Sequence, residues 1–124
     1  MKLGVPMEPD GETRVAIAPS SMKKLLKAGF EVLIEKNAGK ASNYLDADYE
    51  SAGAKMVSRK DVLECDTIIS IRFPGIEGIS KGTRIACVAD PFRNPQHVQS
   101  CIDAGITLLS MDMIPRISRA QKMD

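Results

Sequence analysis

Thr67-Ile68-Ile69-Ser70-Ile71 is the most β-prone run in the chain. It has no apolar–polar alternation, which is the pattern of a strand covered on both faces. Such strands lie inside parallel sheets, so residues 67–71 are expected near the centre of one. Arg72-Phe73-Pro74 leaves the carboxyl end of that strand.

The flanking sequence alternates between strand and helix signals. Upstream, Ser58 is placed to cap a short helix reaching about Glu64, and residues 54–57 form a short extended run. Asp46 is expected to cap another short helix that ends at Gly53. Residues 30–35 read as a strand with Val32 and Ile34 on one face, and residues 37–40 as a loop. Pro19 opens a helix in which Met22, Leu25, Leu26 and Gly29 follow the i, i+3, i+4, i+7 spacing. Gly29 is its expected stop, and Lys23, Lys24 and Lys27 form a solvated face. Residues 13–18 are expected to be extended, with Val15 and Ile17 on one side and Arg14 on the other. Pro9-Asp10-Gly11 is a turn, and residues 2–5 form a first strand ended by Pro6.

Downstream, residues 84–89 read as a strand and Asp90-Pro91-Phe92-Arg93 as a loop. Asn94 is placed to cap a helix with Pro95 at its first position. Val98, Cys101 and Ile102 give that helix a buried stripe, and Gly105 ends it. Residues 106–110 read as a last, buried strand. Strand–helix alternation with short loops predicts one α/β domain: an open, mostly parallel sheet with helices on both faces, of the Rossmann/flavodoxin-like kind.

The totals bound the function. The 124 residues are 44% hydrophobic and 27% charged, which suits one globular domain with one core. A net charge of +1 gives no broad electrostatic footprint for nucleic acid, and no nucleic-acid partner is expected. Aromatic residues make up 4% and Trp is absent, so base-stacking platforms are not expected either. No apolar run approaches a membrane span, and Met1-Lys2-Leu3-Gly4-Val5-Pro6 does not read as a signal peptide. Cys65, Cys87 and Cys101 form no C-x-x-C pair, and the single His97 has no spaced ligand partner, so no metal site is expected. Cys87 and Cys101 lie on apolar positions and read as reduced core residues, while Glu64 and Asp66 should raise the Cys65 thiol. A reducing, cytoplasmic compartment fits.

The last stretch concentrates polar chemistry. Between Arg116 and Asp124 stand two guanidinium groups, a carboxamide and a carboxylate, just past the strand at 106–110. Pro115 stops that strand, and Ser118 with Gln121 three residues on has the form of a capping box. In a parallel sheet, ligands bind beyond the carboxyl ends of strands. Spacing alone leaves two readings open: an anion or cofactor site, or an ordinary strand–turn–helix with surface arginines.

Several segments together carry a resemblance. They are Gly4-Val5-Pro6, Glu12-Thr13-Arg14-Val15-Ala16, Lys27-Ala28-Gly29-Phe30-Glu31-Val32, Ala38-Gly39 and Asp48-Tyr49-Glu50-Ser51-Ala52-Gly53-Ala54. In this order they resemble the N-terminal lobe shared by alanine dehydrogenase and the alpha subunit of proton-translocating NAD(P) transhydrogenase. The ending, Pro115-Arg116-Ile117-Ser118-Arg119-Ala120-Gln121 with Asp124, resembles the transhydrogenase branch, and Asn94-Pro95 agrees with it.

That resemblance implies a component that binds NAD(H) and exchanges a hydride with NADP(H) held on a partner component, while a membrane component couples this to proton movement. Arg116, Gln121 and Asp124 match the family's polar cluster at the nicotinamide end and are the implied catalytic residues. Ile117, Ser118 and Arg119 match the rest of the cofactor-binding turn. Hydride transfer needs two rings held face to face, and needs no general base. A homodimer is implied for the full protein, lying in the cytoplasm and peripheral at the inner membrane through its partner subunits.

Arg14 matches the position where alanine dehydrogenase holds the substrate carboxylate, although a structural ion pair accounts for it equally well. The Lys and His of that enzyme fall near Arg72 and Asp90 here. Arginine is a poor proton carrier and Asp90 would repel a carboxylate, so amino-acid oxidation is disfavoured. His97 reads as a surface helix residue, and Asp90 and Arg93 depart from the transhydrogenase pattern. No strand is followed by G-x-G-x-x-G, so the pyrophosphate cradle of the family's second lobe is missing. Residues 1–124 are expected to be a single lobe, truncated before the dinucleotide-binding lobe and inactive alone. The alternative is a standalone α/β binding or interaction module without catalysis.

Overall fold

The computed structural model describes residues 1–89 and 93–111. The first half runs β1 (Lys2–Val5), a 3-10 turn at Pro19–Ser21, α1 (Met22–Lys27), β2 (Glu31–Glu35), α2 (Asp46–Ser51), β3 (Lys55–Val57) and α3 (Arg59–Leu63). The second half runs β4 (Thr67–Arg72), β5 (Arg84–Val88), α4 (Pro95–Ala104) and β6 (Thr107–Ser110). The six strands form one sheet in the order β3-β2-β1-β4-β5-β6, and every pair is parallel. The expected central strand is β4, between β1 and β5.

Successive strand residues point to opposite faces, and this places the helices. Leu3 and Val5 join Val32, Ile34, Met22 of α1 and Tyr49 of α2 in one buried cluster. Gly4 points the other way, against α3. A Cβ there would lie 2.5 Å from the Val62 carbonyl oxygen and 3.1 Å from the Cys65 sulfur. On that second face Leu63, Ile68, Ile85, Cys87, Cys101 of α4 and Ile106 form another cluster. Helices therefore cover both faces, as expected. Burial in β4 alternates: Ile68 belongs to the second cluster and Ser70 is buried, while Ile69 packs against the first cluster and Ile71 is only half-buried.

Local signals held where the cause is local. Pro19 and Pro95 stand at helix starts, and Ser58 accepts a hydrogen bond from the Asp61 N–H at 3.4 Å. Gly29 and Gly105 follow α1 and α4 with φ of 94° and 71°, where a side chain would be strained. All three cysteines are buried and none forms a disulfide. Burial is the main cause that raises the Cys65 thiol, ahead of the neighbouring carboxylates.

Other expectations are corrected. Residues 13–18 join no strand; they are held by side chains, with the Ile17 carbonyl accepting the Tyr49 hydroxyl at 2.7 Å and the Thr13 carbonyl accepting the Ser42 hydroxyl. Asp46 does not cap α2. Leu45 occupies that position, Asp48 accepts the Leu45 N–H, and the Asp46 carboxylate accepts the Asn37 N–H across the preceding loop. Asn94 precedes α4 but makes no capping bond, and its side-chain oxygen accepts from Gln96 Nε2 instead. Leu26 and Ile102 are exposed rather than buried, since each lies at the margin of a narrow helix–sheet contact. The last strand, β6, is an edge strand, and Thr107 and Leu109 face outward because α4 covers only the opposite face.

Two substitutions test this packing. Gly4→Ala should cost on the order of 1–3 kcal/mol, because the new methyl meets backbone rather than a yielding side-chain end. An unchanged urea midpoint would contradict the close approach of α3. Tyr49 is fully buried, and burial pushes its hydroxyl up to about 12. Tyr49→Phe strands the Ile17 carbonyl and should cost about 1–3 kcal/mol in the same measurement.

Candidate functional site

The strand order places a topological switch point between β1 and β4. From β1 the chain builds outward to β2 and β3, then crosses to β4 and builds the other way. In open α/β sheets the ligand crevice lies here, beyond the carboxyl ends of the strands. A crevice is present, lined by the β1–α1 loop (Pro6, Met7, Glu8), by Arg59 of α3, by Arg72 at the end of β4 and by Phe73 after it. A second hollow continues from it over β5, with Arg14, Arg72, Phe73, Asn94 and His97 on its walls.

Three carboxylates organise the loop that forms the crevice. Glu35, at the end of β2, accepts the Met7 N–H at 2.9 Å and Arg59 Nη1 at 3.1 Å. Glu8 is buried and accepts two backbone N–H groups, from Ile71 at 2.8 Å and Arg72 at 2.9 Å. Glu12 lies between two guanidinium groups. Its oxygens accept Arg14 Nε at 2.9 Å, Arg14 Nη2 at 3.0 Å and Arg72 Nε at 2.9 Å. The Glu12 side chain is only 5% exposed, whereas Arg14 and Arg72 are 67% and 61% exposed. The hydrogen bonds from Arg14, then those from Arg72, hold the Glu12 carboxyl far below the ordinary carboxylate range. The same contact raises Arg14.

The chemistry follows from these contacts. In a dinucleotide-binding sheet, the turn after the first strand offers bare N–H groups to a pyrophosphate. Here Pro6-Met7-Glu8-Pro9-Asp10-Gly11-Glu12 brings carboxylates to that position, so the crevice does not fit a pyrophosphate. Arg14 and Arg72 are bridged by Glu12, which takes both Nε and Nη2 of Arg14 and only Nε of Arg72. The structural ion pair is thus the reading the geometry supports for Arg14.

His97 is half-buried rather than a free surface residue. Its ring stacks on Phe73 with centroids 4.3 Å apart and planes 20° apart, and its Nδ1 is enclosed with no hydrogen bond among the described residues. Among the described residues no group of His, Cys, Asp or Glu could hold a metal ion, and no helix is long and apolar enough to cross a membrane. Arg116, Ile117, Ser118, Arg119, Gln121 and Asp124 lie outside the described residues, as do Pro115 and Asp90. Glu8 and Glu12 were not singled out by sequence reasoning. Glu12 and Arg14 stand two apart, a spacing that puts side chains on one side of an extended run, whereas Glu8 gave no local sign of partners 63 and 64 residues away.

Comparison with known proteins agrees with this architecture. The family model described as "Alanine dehydrogenase/PNT, N-terminal domain" matches residues 4–124. The NAD(P) transhydrogenase subunit alpha of Cereibacter sphaeroides is 36% identical over 130 residues, covering 100% of this chain and 25% of that protein. The crystal structure of transhydrogenase from Sinorhizobium meliloti superposes with a TM-score of 0.92 at 36% identity, over 100% of this chain and 39% of that one. An L-alanine dehydrogenase structure gives a TM-score of 0.84 at 29% identity, over 89% of this chain and 32% of that one. The chain therefore spans between a quarter and two-fifths of these relatives. A six-stranded parallel sheet with this switch point, matched along nearly its whole length, makes the chain a member of the alanine dehydrogenase/PNT N-terminal domain family.

Proposed function

We propose that residues 1–124 are the first lobe of the NAD(H)-binding component of a proton-translocating NAD(P) transhydrogenase, incomplete without a dinucleotide-binding lobe. One observation carries this reading: the likeness to transhydrogenase alpha subunits runs the full length of the chain, in sequence and in structure. The nicotinamide cofactors supply the hydride chemistry, NAD(H) on this component and NADP(H) on a partner. The described crevice does not fit a pyrophosphate, so the phosphates and adenosine belong to the other lobe. This lobe's part is orientation at the nicotinamide end. Arg116, Gln121 and Asp124 hold ribose and carboxamide by directed hydrogen bonds, and Ile117, Ser118 and Arg119 complete the turn. The component works as a homodimer in the cytoplasm, reaching the inner membrane through its NADP(H)-binding and membrane partners.

Alanine oxidation is the activity of the sister branch, and the ion-paired state of Arg14 and Arg72 argues against it here. Arg14 turns Nε and Nη2 to Glu12 and Arg72 turns Nε to it, and neither guanidinium moves protons at neutral pH.

Two outcomes are expected. Titration of NADH into the isolated chain, followed by its fluorescence, should show no saturation at micromolar cofactor; saturable binding there would mean that this lobe holds the cofactor unaided. With a dinucleotide-binding lobe from a transhydrogenase relative and the NADP(H) component supplied in trans, hydride transfer should appear. Arg116→Ala or Gln121→Ala should then lower it by roughly tenfold or more through lost orientation, and alanine should give no NADH. Complementation that restores no transfer at all would favour the standalone module.

A further inference from the structure

At the switch point the ladder between β1 and β4 stops early. The two strands pair only at Leu3 with Thr67 and Gly4 with Ile68. Pro6 then carries the chain away, and it has no N–H to offer. On the other side, β4 and β5 pair in register up to Ile69 with Ala86 and resume at Arg72 with Val88, so β4 bulges by one residue. A bulge leaves backbone groups without ladder partners. Ser70 turns its hydroxyl back to donate to the Arg72 carbonyl at 2.7 Å. The N–H groups of Ile71 and Arg72 are successive and converge on the crevice, and both donate to the one carboxylate of Glu8.

Successive N–H groups at a bend form a concavity that binds anions. A doubly wound sheet places such donors where a ligand's negative charge rests. In this chain the anion comes from within. We propose that the Ile71 and Arg72 amides form an anion nest suited to a small carboxylate, and that Glu8 fills it as an internal ligand to position Arg72 at the mouth of the crevice.

Three features of the structure support this. Both Glu8 oxygens are used, one for each N–H, at lengths typical of charge-assisted bonds. Glu8 is buried at this point although it sits on a loop between exposed Met7 and Pro9. The residue it fixes by its backbone, Arg72, sends its side chain to Glu12 and lines both hollows. Glu8 touches no reacting group in this arrangement. It acts through Arg72, as a positioning residue.

The test uses the 124-residue chain and amide resonances. In Glu8→Ala, the Ile71 and Arg72 amide protons should move upfield and exchange about tenfold faster or more, with the Arg72 Nε–H signal shifting alongside. Sodium formate, compared with sodium chloride at equal ionic strength, should return all three signals saturably in Glu8→Ala and leave the parent chain unchanged. Glu8→Gln keeps one acceptor oxygen, so it should lose one of the two amide bonds and respond to formate less than Glu8→Ala does. If Glu8→Ala does not fold, Glu8→Gln decides alone: unchanged Ile71 and Arg72 amides in it would overturn the proposal. In a folded Glu8→Ala, formate acting no differently from chloride would overturn the nest, and an unmoved Arg72 Nε–H would overturn the positioning role.

Discussion

Gly4 has no side chain, and α3 lies against β1 at the spot where one would be. The chain leaves β3 at one edge of the sheet and must cross β2 and β1 before it can start β4. That crossing is made by a helix of five residues, Arg59–Leu63, too short to bridge at a distance. It works because the Val62 carbonyl rests directly over the Gly4 backbone, with Val62 and Leu63 buried on either side. The crossing reverses the direction in which strands are added, and the reversal creates the crevice.

Acidic side chains then determine what the crevice is. In a nucleotide-binding lobe the loop after β1 would expose its own N–H groups to phosphate. This loop is instead clamped from both sides, by Glu35 at Met7 and by the bonds of Glu8 to β4. It also carries Glu12 into the gap between two arginines. One carboxylate serves both guanidiniums and ties Arg14 to Arg72. The lobe thus combines a parallel sheet of the dinucleotide-binding kind with a first turn whose backbone and carboxylates are already engaged in bonds within the chain.

Much of this was readable because its causes are local. The β-prone run at residues 67–71 marked β4 as an interior strand, prolines marked two helix starts, and glycines marked two helix ends. What resisted reading depends on partners far along the chain. Asp46 looked like a cap, yet its carboxylate serves a loop nine residues earlier. Residues 13–18 had strand-like alternation, but Tyr49 claims the Ile17 carbonyl. His97 carried no sign of its stacking on Phe73, which comes from another element. The polar cluster from Arg116 to Asp124 was singled out by spacing and given a role by resemblance, and it lies outside the described residues.

The thiols have a consequence of a different kind. Cys65 sits under the contact of β1 with α3, while Cys87 and Cys101 belong to the cluster beneath β5 and α4. None is bonded to another, and all are buried. A thiol-reactive dye therefore has nothing to label until part of the molecule opens. The residue that reacts first identifies which part opened, so the native chain carries two unfolding reporters without any engineered site.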